Sequence, residues 1–354
     1  MNSLASLAQI YIYSCWIIVA ILLVLLVYRS YVSLRKATSR QPLFAEKGKW
    51  YPKTIKILFG FAMLCIAISL PYYAYIGSAF KSIIPAYLNH LLVLIAMWLA
   101  LYEVLLTFSI SEKLLRSVWK KVVLTLLVVL LLPISLLLLT EVPGFFAFPD
   151  EEDCYLIDLP VRDTWLAGHA GASEGLNVHN FLNAQQYAID IVKVNQQGQF
   201  FEDSGNALTH FYTYNAPIYA PVEGKVVEMV DTLPNAPISL APNEPNTPAG
   251  NHVVIEFEPD RYLFLAHLNP GTIEVEKGDY VRVGDLIGKA GNSGNSSWPH
   301  LHLHIQDKPM ISNDSTQGYP FRFRNMERKR WLSWEETKKS FLIRNDFFRD
   351  IISR

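Results

Sequence analysis

The stretch with the most pointed chemistry in this 354-residue chain is His300-Leu301-His302-Leu303-His304. On a strand, alternate residues face the same way, so the three imidazoles share one face while Leu301 and Leu303 enter a core. Packing alone gives no reason to line up three histidines. Imidazole is a common metal ligand, and a catalytic zinc uses three protein ligands with a fourth position open to water. The string therefore points to a metal without specifying a fold. It would also suit a cupin-like or carbonic-anhydrase-like site. A cupin, however, needs a glutamate a few residues after its HxH, and the next acid here is Asp307.

The elements that must hold this face read as short β runs divided by Gly, Asn, Asp and Pro. Lys225–Val230, Asn251–Phe257 and Arg261–Ala266 are predicted strands, with Pro217–Gly224 a turn-bounded edge segment. Gly278-Asp279 and Gly284-Asp285 mark tight turns in which glycine takes φ > 0. This punctuation predicts a sharply folded β-barrel or sandwich. Biotin and lipoate carriers use similar hairpins, but a modifiable lysine in a Met-Lys-Met setting is lacking. Residues 232–249 hold five prolines and read as a surface loop. Residues 142–176 are Pro- and acid-rich and read as a juxtamembrane linker. Trp334–Ser353 reads as an amphipathic helix with Phe341, Leu342, Phe347, Phe348 and Ile351 inward, within a C-terminal tail over 327–354.

The other half of the chain has a different character. The whole sequence is 51% hydrophobic and 18% charged, against a usual charged share of about 25%. The net charge of −1 hides a split: residues 1–141 carry 13 Lys+Arg and 4 Asp+Glu, and residues 142–354 carry 18 and 28. Four long apolar stretches lie in the first part: Ala8–Tyr28, Ile57–Phe80, Ile84–Phe108 and Val122–Thr140. About 20 such residues cross a bilayer core as a helix, which predicts a four-helix transmembrane domain over 1–141. The loop holding Arg29, Arg35, Lys36, Arg40, Lys47, Lys49 and Lys53 and the loop holding Lys113, Arg116, Lys120 and Lys121 are placed in the cytoplasm. The expectation is a multi-pass protein of the plasma membrane, held in the lipid bilayer with its N-terminus and C-terminal domain outside. Cys15, Cys65 and Cys154 offer no disulfide framework. Without a dense basic patch on a soluble fold, nucleic acid is excluded as a partner.

Context narrows the metal reading. Ahead of the histidine string stand Gly288-Lys-Ala-Gly291-Asn-Ser-Gly294 and Trp298-Pro299. Upstream come Leu265-Ala266-His267-Leu268, then Gly250-Asn251-His252-Val253-Val254-Ile255, Ala216-Pro217-Ile218-Tyr219-Ala220-Pro221-Val222-Glu223-Gly224 and Tyr187-Ala188-Ile189-Asp190. In this order the set resembles the LytM/lysostaphin-type zinc metallopeptidases, the duplicated-hybrid-motif family. The resemblance covers residues 177 to about 310 and leaves out the apolar half. It implies an all-β peptidase domain, assigned here to 177–326, with one Zn2+ per domain. The whole chain is then of mixed class, a four-helix transmembrane region followed by this β domain.

Carried over position by position, the resemblance makes His302 and Asp190 zinc ligands and His300 and His267 the catalytic histidines. The family's first ligand lies four residues before the aspartate, and here that position is Gln186. Two readings of this departure stand. A neutral amide leaves the site degenerate, or another histidine supplies the nitrogen; His179, returned by a short hairpin through 180–184, is the candidate. His169, His210 and His252 match no motif and read as surface residues. The implied function is a membrane-anchored zinc metalloendopeptidase cleaving peptidoglycan cross-links or stem peptides outside the cytoplasm. The alternative is a degenerate module that binds cell wall or regulates other wall hydrolases.

Overall fold

The computed structural model describes residues 144, 146–203, 205–239, 247–310, 316–330 and 333–351. All of them fall in one compact unit. Its strands, in chain order, are β1 (Tyr155–Ile157), β2 (Thr164–His169), β3 (Ile189–Lys193), β4 (Pro217–Tyr219), β5 (Gly224–Val230), β6 (Asn251–Glu258) and β7 (Arg261–Leu268). They continue with β8 (Tyr280–Val281), β9 (Leu286–Lys289), β10 (Leu301–Gln306), β11 (Gly318–Tyr319), β12 (Phe321–Lys329), β13 (Glu335–Ser340) and β14 (Phe347–Asp350).

Twelve strands form one sheet in the order β1-β12-β14-β2-β3-β10-β7-β6-β5-β8, with β11 on β10 and β13 on β12. Every pairing is antiparallel except β1 with β12. β4 and β9 form a separate two-stranded ribbon. Their Ile218 and Ile287 join Val253, Leu263, Leu265, Leu301 and Leu303 in one buried cluster, so the ribbon helps close the core.

Period-two patterning explains the centre of the sheet. Leu301, Leu303 and Ile305 of β10 enter the core cluster, while His302, His304 and Gln306 take the opposite face. On β3, Ile189 and Ile191 enter the same cluster, which turns Asp190 to the histidine face. The register sets His302 between Asp190 of β3 and Ala266 of β7.

The expected mixed class is corrected. The described residues form an all-β unit, and none of their helices is long and apolar enough to cross a membrane. Among the described residues helical structure is confined to short 3-10 turns such as Val178–Phe181 and Asn183–Gln185. The four spans expected within 1–141 lie outside the described residues.

Two segments flanking the expected 177–326 domain also differ from their sequence reading. Residues 142–176, read as a linker, contribute β1 and β2, with Ile157, Trp165 and Ala167 in the core. β1 is three residues long and its partner Phe321–Phe323 is far down the chain, so local pattern carries little of its signal. The tail, read as an amphipathic helix, forms β13 and β14 instead. Phe348 packs in the main core while neighbouring Phe347 packs in a second cluster with Leu166 and Val192. A strand turns adjacent residues to opposite faces, whereas the inward face read for a helix puts both phenylalanines on one side. A buried ion pair, Arg330 Nη2 to Asp346 Oδ2 at 2.8 Å, ties the end of β12 to the turn before β14. Asp346 also accepts from the backbone N–H of Ile343 at 2.8 Å.

Candidate metal centre

Three side chains converge on the histidine face. His179 Nε2 lies 2.9 Å from Asp190 Oδ2, and His302 Nδ1 lies 2.9 Å from Asp190 Oδ1. One ligand atom from each of His179, Asp190 and His302 falls within 4.8 Å of the others. Two imidazoles and a carboxylate form a donor set that suits zinc. Burial opposes the charge on Asp190, but His179 and His300, with the hydrogen bond from His179, hold its carboxyl well below the usual range. Burial also disfavours a charged His179, and Asp190 overrides this by charge and hydrogen bond, so its pKa is raised.

His179 reaches the site through a capped 3-10 turn. Asn177 is fully buried, and its Oδ1 accepts from the backbone N–H of His179 at 3.1 Å. Its Nδ2 donates to the carbonyls of Gly171 at 3.1 Å and Ala188 at 2.9 Å. The segment between His179 and Asp190 thus runs through two 3-10 turns and not through the expected hairpin. Gln186 turns away and donates to the carbonyl of Gly318 at 3.3 Å. Asn177 was missed in the sequence, where its only signal is an Asx residue two places before His179.

His267 and His300 stand beside this group, with ring centroids 4.6 Å apart. His267 Nδ1 lies 2.8 Å from the carbonyl of Ser293, and His300 Nδ1 lies 2.9 Å from that of Trp298. A carbonyl only accepts, so each Nδ1 carries a proton, and in the neutral ring Nε2 is then the bare nitrogen. His300 Nε2 points toward Asp190 Oδ1 at 3.7 Å. Burial, helped by His300 and His302, pushes His267 well below the ordinary histidine range.

A β-bulge aims His267. Strict alternation would put it on the core face with Leu263 and Leu265. The β6–β7 register instead shifts between Asn251↔Leu268 and His252↔Ala266, which leaves His267 unpaired. Leu268 then takes the core position, and His267 adopts φ +65. A left-handed backbone at a non-glycine residue is a local strain of about 1 kcal/mol or more. Bulges commonly re-aim side chains beside functional sites.

The same device acts in β2. The register slips between Ala167↔Ile191 and His169↔Asp190, bringing His169 to the site's edge. His169 was read as a surface residue, yet its ring lies 6.1 Å from that of His179. Its Nδ1 is buried without a hydrogen-bond partner among the described residues. Burial, with Arg344 nearby, lowers its pKa to about 3. His252 is also buried, its Nδ1 lying 2.7 Å from the carbonyl of Gly250. A cleft of about 250 Å³ opens over His169, His179, Asp190, His267 and His300, walled by Phe200 and Trp298.

Comparison with known proteins bears on this geometry. Residues 205–314 match the model of peptidase family M23. Among solved structures, the chain is similar to the catalytic domain of the antimicrobial peptidase lysostaphin from Staphylococcus simulans. The identity is 23%, over 39% of this chain and 80% of that one, with a TM-score of 0.25. It is also similar to a putative peptidase M23 from Pseudomonas aeruginosa, at 26% identity over 27% of this chain and 35% of that one, TM-score 0.21. A zinc-containing peptidase from Vibrio cholerae is 23% identical over 42% of this chain and 36% of that one, TM-score 0.24. The chain thus spans about a third of the length of the last two. His267, His300 and His302 lie inside the matched segment, and His179 and Asp190 lie ahead of it. Over residues 205–314 the chain matches peptidase family M23, which supports a LytM-type peptidase domain there.

Proposed function

We propose that this domain is a zinc metalloendopeptidase that cleaves peptide bonds in peptidoglycan cross-links or stem peptides, on the extracytoplasmic side of the plasma membrane. One observation carries the reading: the His179, Asp190 and His302 donor set sits beside two imidazoles, His267 and His300, each held by a carbonyl at Nδ1. The donor set fits zinc in atom type and in the closeness of its ligand atoms. Zinc held there supplies a Lewis acid that polarises a scissile carbonyl and lowers the pKa of a water toward ~7.

The chain's own residues supply the proton handling. The bare Nε2 of His300 or His267 accepts the proton of the attacking water, and the imidazolium so formed donates to the leaving nitrogen. Each ring is held in that tautomer by a carbonyl at Nδ1, so no reorientation precedes proton transfer. Phe200 and Trp298, packed together with ring centroids 6.4 Å apart, give the cleft an apolar wall beside the histidines against which a peptide can lie. The alternative, a degenerate wall-binding module, rested on Gln186; His179 beside Asp190 favours the enzyme instead.

The test is metal analysis and muropeptide digestion with the full chain. Wild type is expected to carry about one zinc per chain and to release new peptide termini, and His302→Ala and Asp190→Ala to do neither. Undiminished cleavage by both variants would overturn the proposal.

A further inference from the structure

We infer that His304 and Gln306 are positioning residues: together they set the tautomer of His302, so that its Nδ1 lone pair faces Asp190 and the metal. The inference deepens the proposed zinc site and rests on it.

The argument starts at the far end of a buried chain of contacts. Gln306 is fully buried, and its Nε2 lies 2.7 Å from the carbonyl of Lys308 and 2.9 Å from that of Met310. Carbonyls only accept, so the amide nitrogen must be at this end; a flipped amide would set oxygen against two oxygens. Gln306 Oε1 therefore faces His304 Nε2, 3.0 Å away, and accepts from it. His304 is buried with its ring stacked on Phe264 at 4.6 Å; its ring nitrogens meet His302 and Gln306, and no carboxylate among the described residues faces them to hold a second proton. With its one proton on Nε2, its Nδ1 is bare.

That bare nitrogen lies 3.0 Å from His302 Nε2, so His302 donates there. A neutral His302 with its proton on Nε2 has a bare Nδ1, and this atom is the one 2.9 Å from Asp190 Oδ1. Two lone pairs then face each other in a buried place, which favours a cation between them. The opposite tautomer would move the clash inward. It would set bare His302 Nε2 against bare His304 Nδ1, or, with His304 reversed as well, bare His304 Nε2 against Gln306 Oε1. The two glutamine donor bonds decide which end of the chain carries the unmet need for a cation. Such outer contacts commonly orient a metal-bound histidine.

The test uses the full chain and two measurements. Zinc affinity is read by competition with a chelator, and the His302 tautomer is read from ring 15N shifts of the metal-free, histidine-labelled protein. Gln306→Leu removes the acceptor for His304. His304→Phe keeps a ring on Phe264 and removes the acceptor for His302. The expected result is Nε2–H in wild-type His302, a mixed tautomer in each variant, and zinc binding weaker by about 10- to 100-fold. Zinc binding within about twofold of wild type, or weaker binding with an unchanged His302 tautomer, would overturn the inference while leaving the zinc site intact. No zinc bound by wild type would overturn the proposed function and the inference with it. If both variants fail to fold, the wild-type spectrum decides: Nδ1–H on His302 overturns the inference and Nε2–H supports it.

Discussion

Replacing Gly250 by alanine should separate proton handling from metal binding. Gly250 has φ +61, and a Cβ built there would lie 2.4 Å from the carbonyl carbon and oxygen of Ser293 and 2.5 Å from its Oγ. Ordinary contact begins near 3.4 Å, so the Ser293 backbone must retreat by about 1 Å. Ser293 cannot retreat freely. Its carbonyl holds His267 Nδ1, its Oγ accepts from the backbone N–H of Asn251, and its hydroxyl donates to the carbonyl of Leu268. The left-handed backbone costs alanine about 1–2 kcal/mol, and overpacking adds about 1–3 kcal/mol. A loss of about 2–5 kcal/mol should lower the melting temperature of a domain this size by roughly 10 °C. Displacing His267 by about 1 Å should slow peptide cleavage by about 100-fold. His179, Asp190 and His302 stand on other elements, so zinc content should hold. Calorimetry, metal analysis and a muropeptide release assay on the full chain read the three quantities. Wild-type melting and cleavage would refute the close-packing argument, and zinc lost in step with activity would refute the separation of roles.

Three further predictions follow from buried polar groups. Asn177→Ala removes the cap on the His179 turn and two buried donor bonds, so it should cost about 2–4 kcal/mol and weaken zinc binding; a chelator titration that matches wild type would argue against it. Arg330→Ala leaves Asp346 charged and buried at 1% side-chain exposure, which should cost about 3–5 kcal/mol in urea unfolding; a cost under about 1 kcal/mol would contradict the pairing. His169 has its folded pKa lowered to about 3 from 6.5, so between those values the unfolded chain binds a proton that the folded one does not. Its contribution to stability is therefore intact above pH 6.5 and falls by about 1.4 kcal/mol per unit as pH drops toward 3. His169→Phe should flatten the pH dependence by that slope in denaturant melts at pH 4–7, and an unchanged slope would place His169 in water.

Some of this was legible along the chain. Alternation around His302 is local, so the split of Leu301 and Leu303 from His302 and His304 follows from strand geometry. Gly278 and Gly284 take positive φ at the Gly-Asp turns, where Asp279 and Asp285 accept from the backbone N–H groups of Glu276 and Arg282. The tail differs from its helical reading because Phe347 and Phe348 serve two different cores, whereas that reading gives them one shared inward face. β1 was missed because a three-residue strand draws its stability from a distant partner.

The sequence by itself determined the residue types of the site, the alternating face that carries His302, and the turns that fold the strands back, because each depends on neighbours a few residues away. Only the tertiary structure decided which histidine joins Asp190. His179 arrives through a turn capped by Asn177, while Gln186 points to Gly318. Tertiary register also decided that bulges in β2 and β7 turn His169 and His267 out of the core and into the cleft. A bulge is settled by pairing with a neighbouring strand, and no local spacing encodes it.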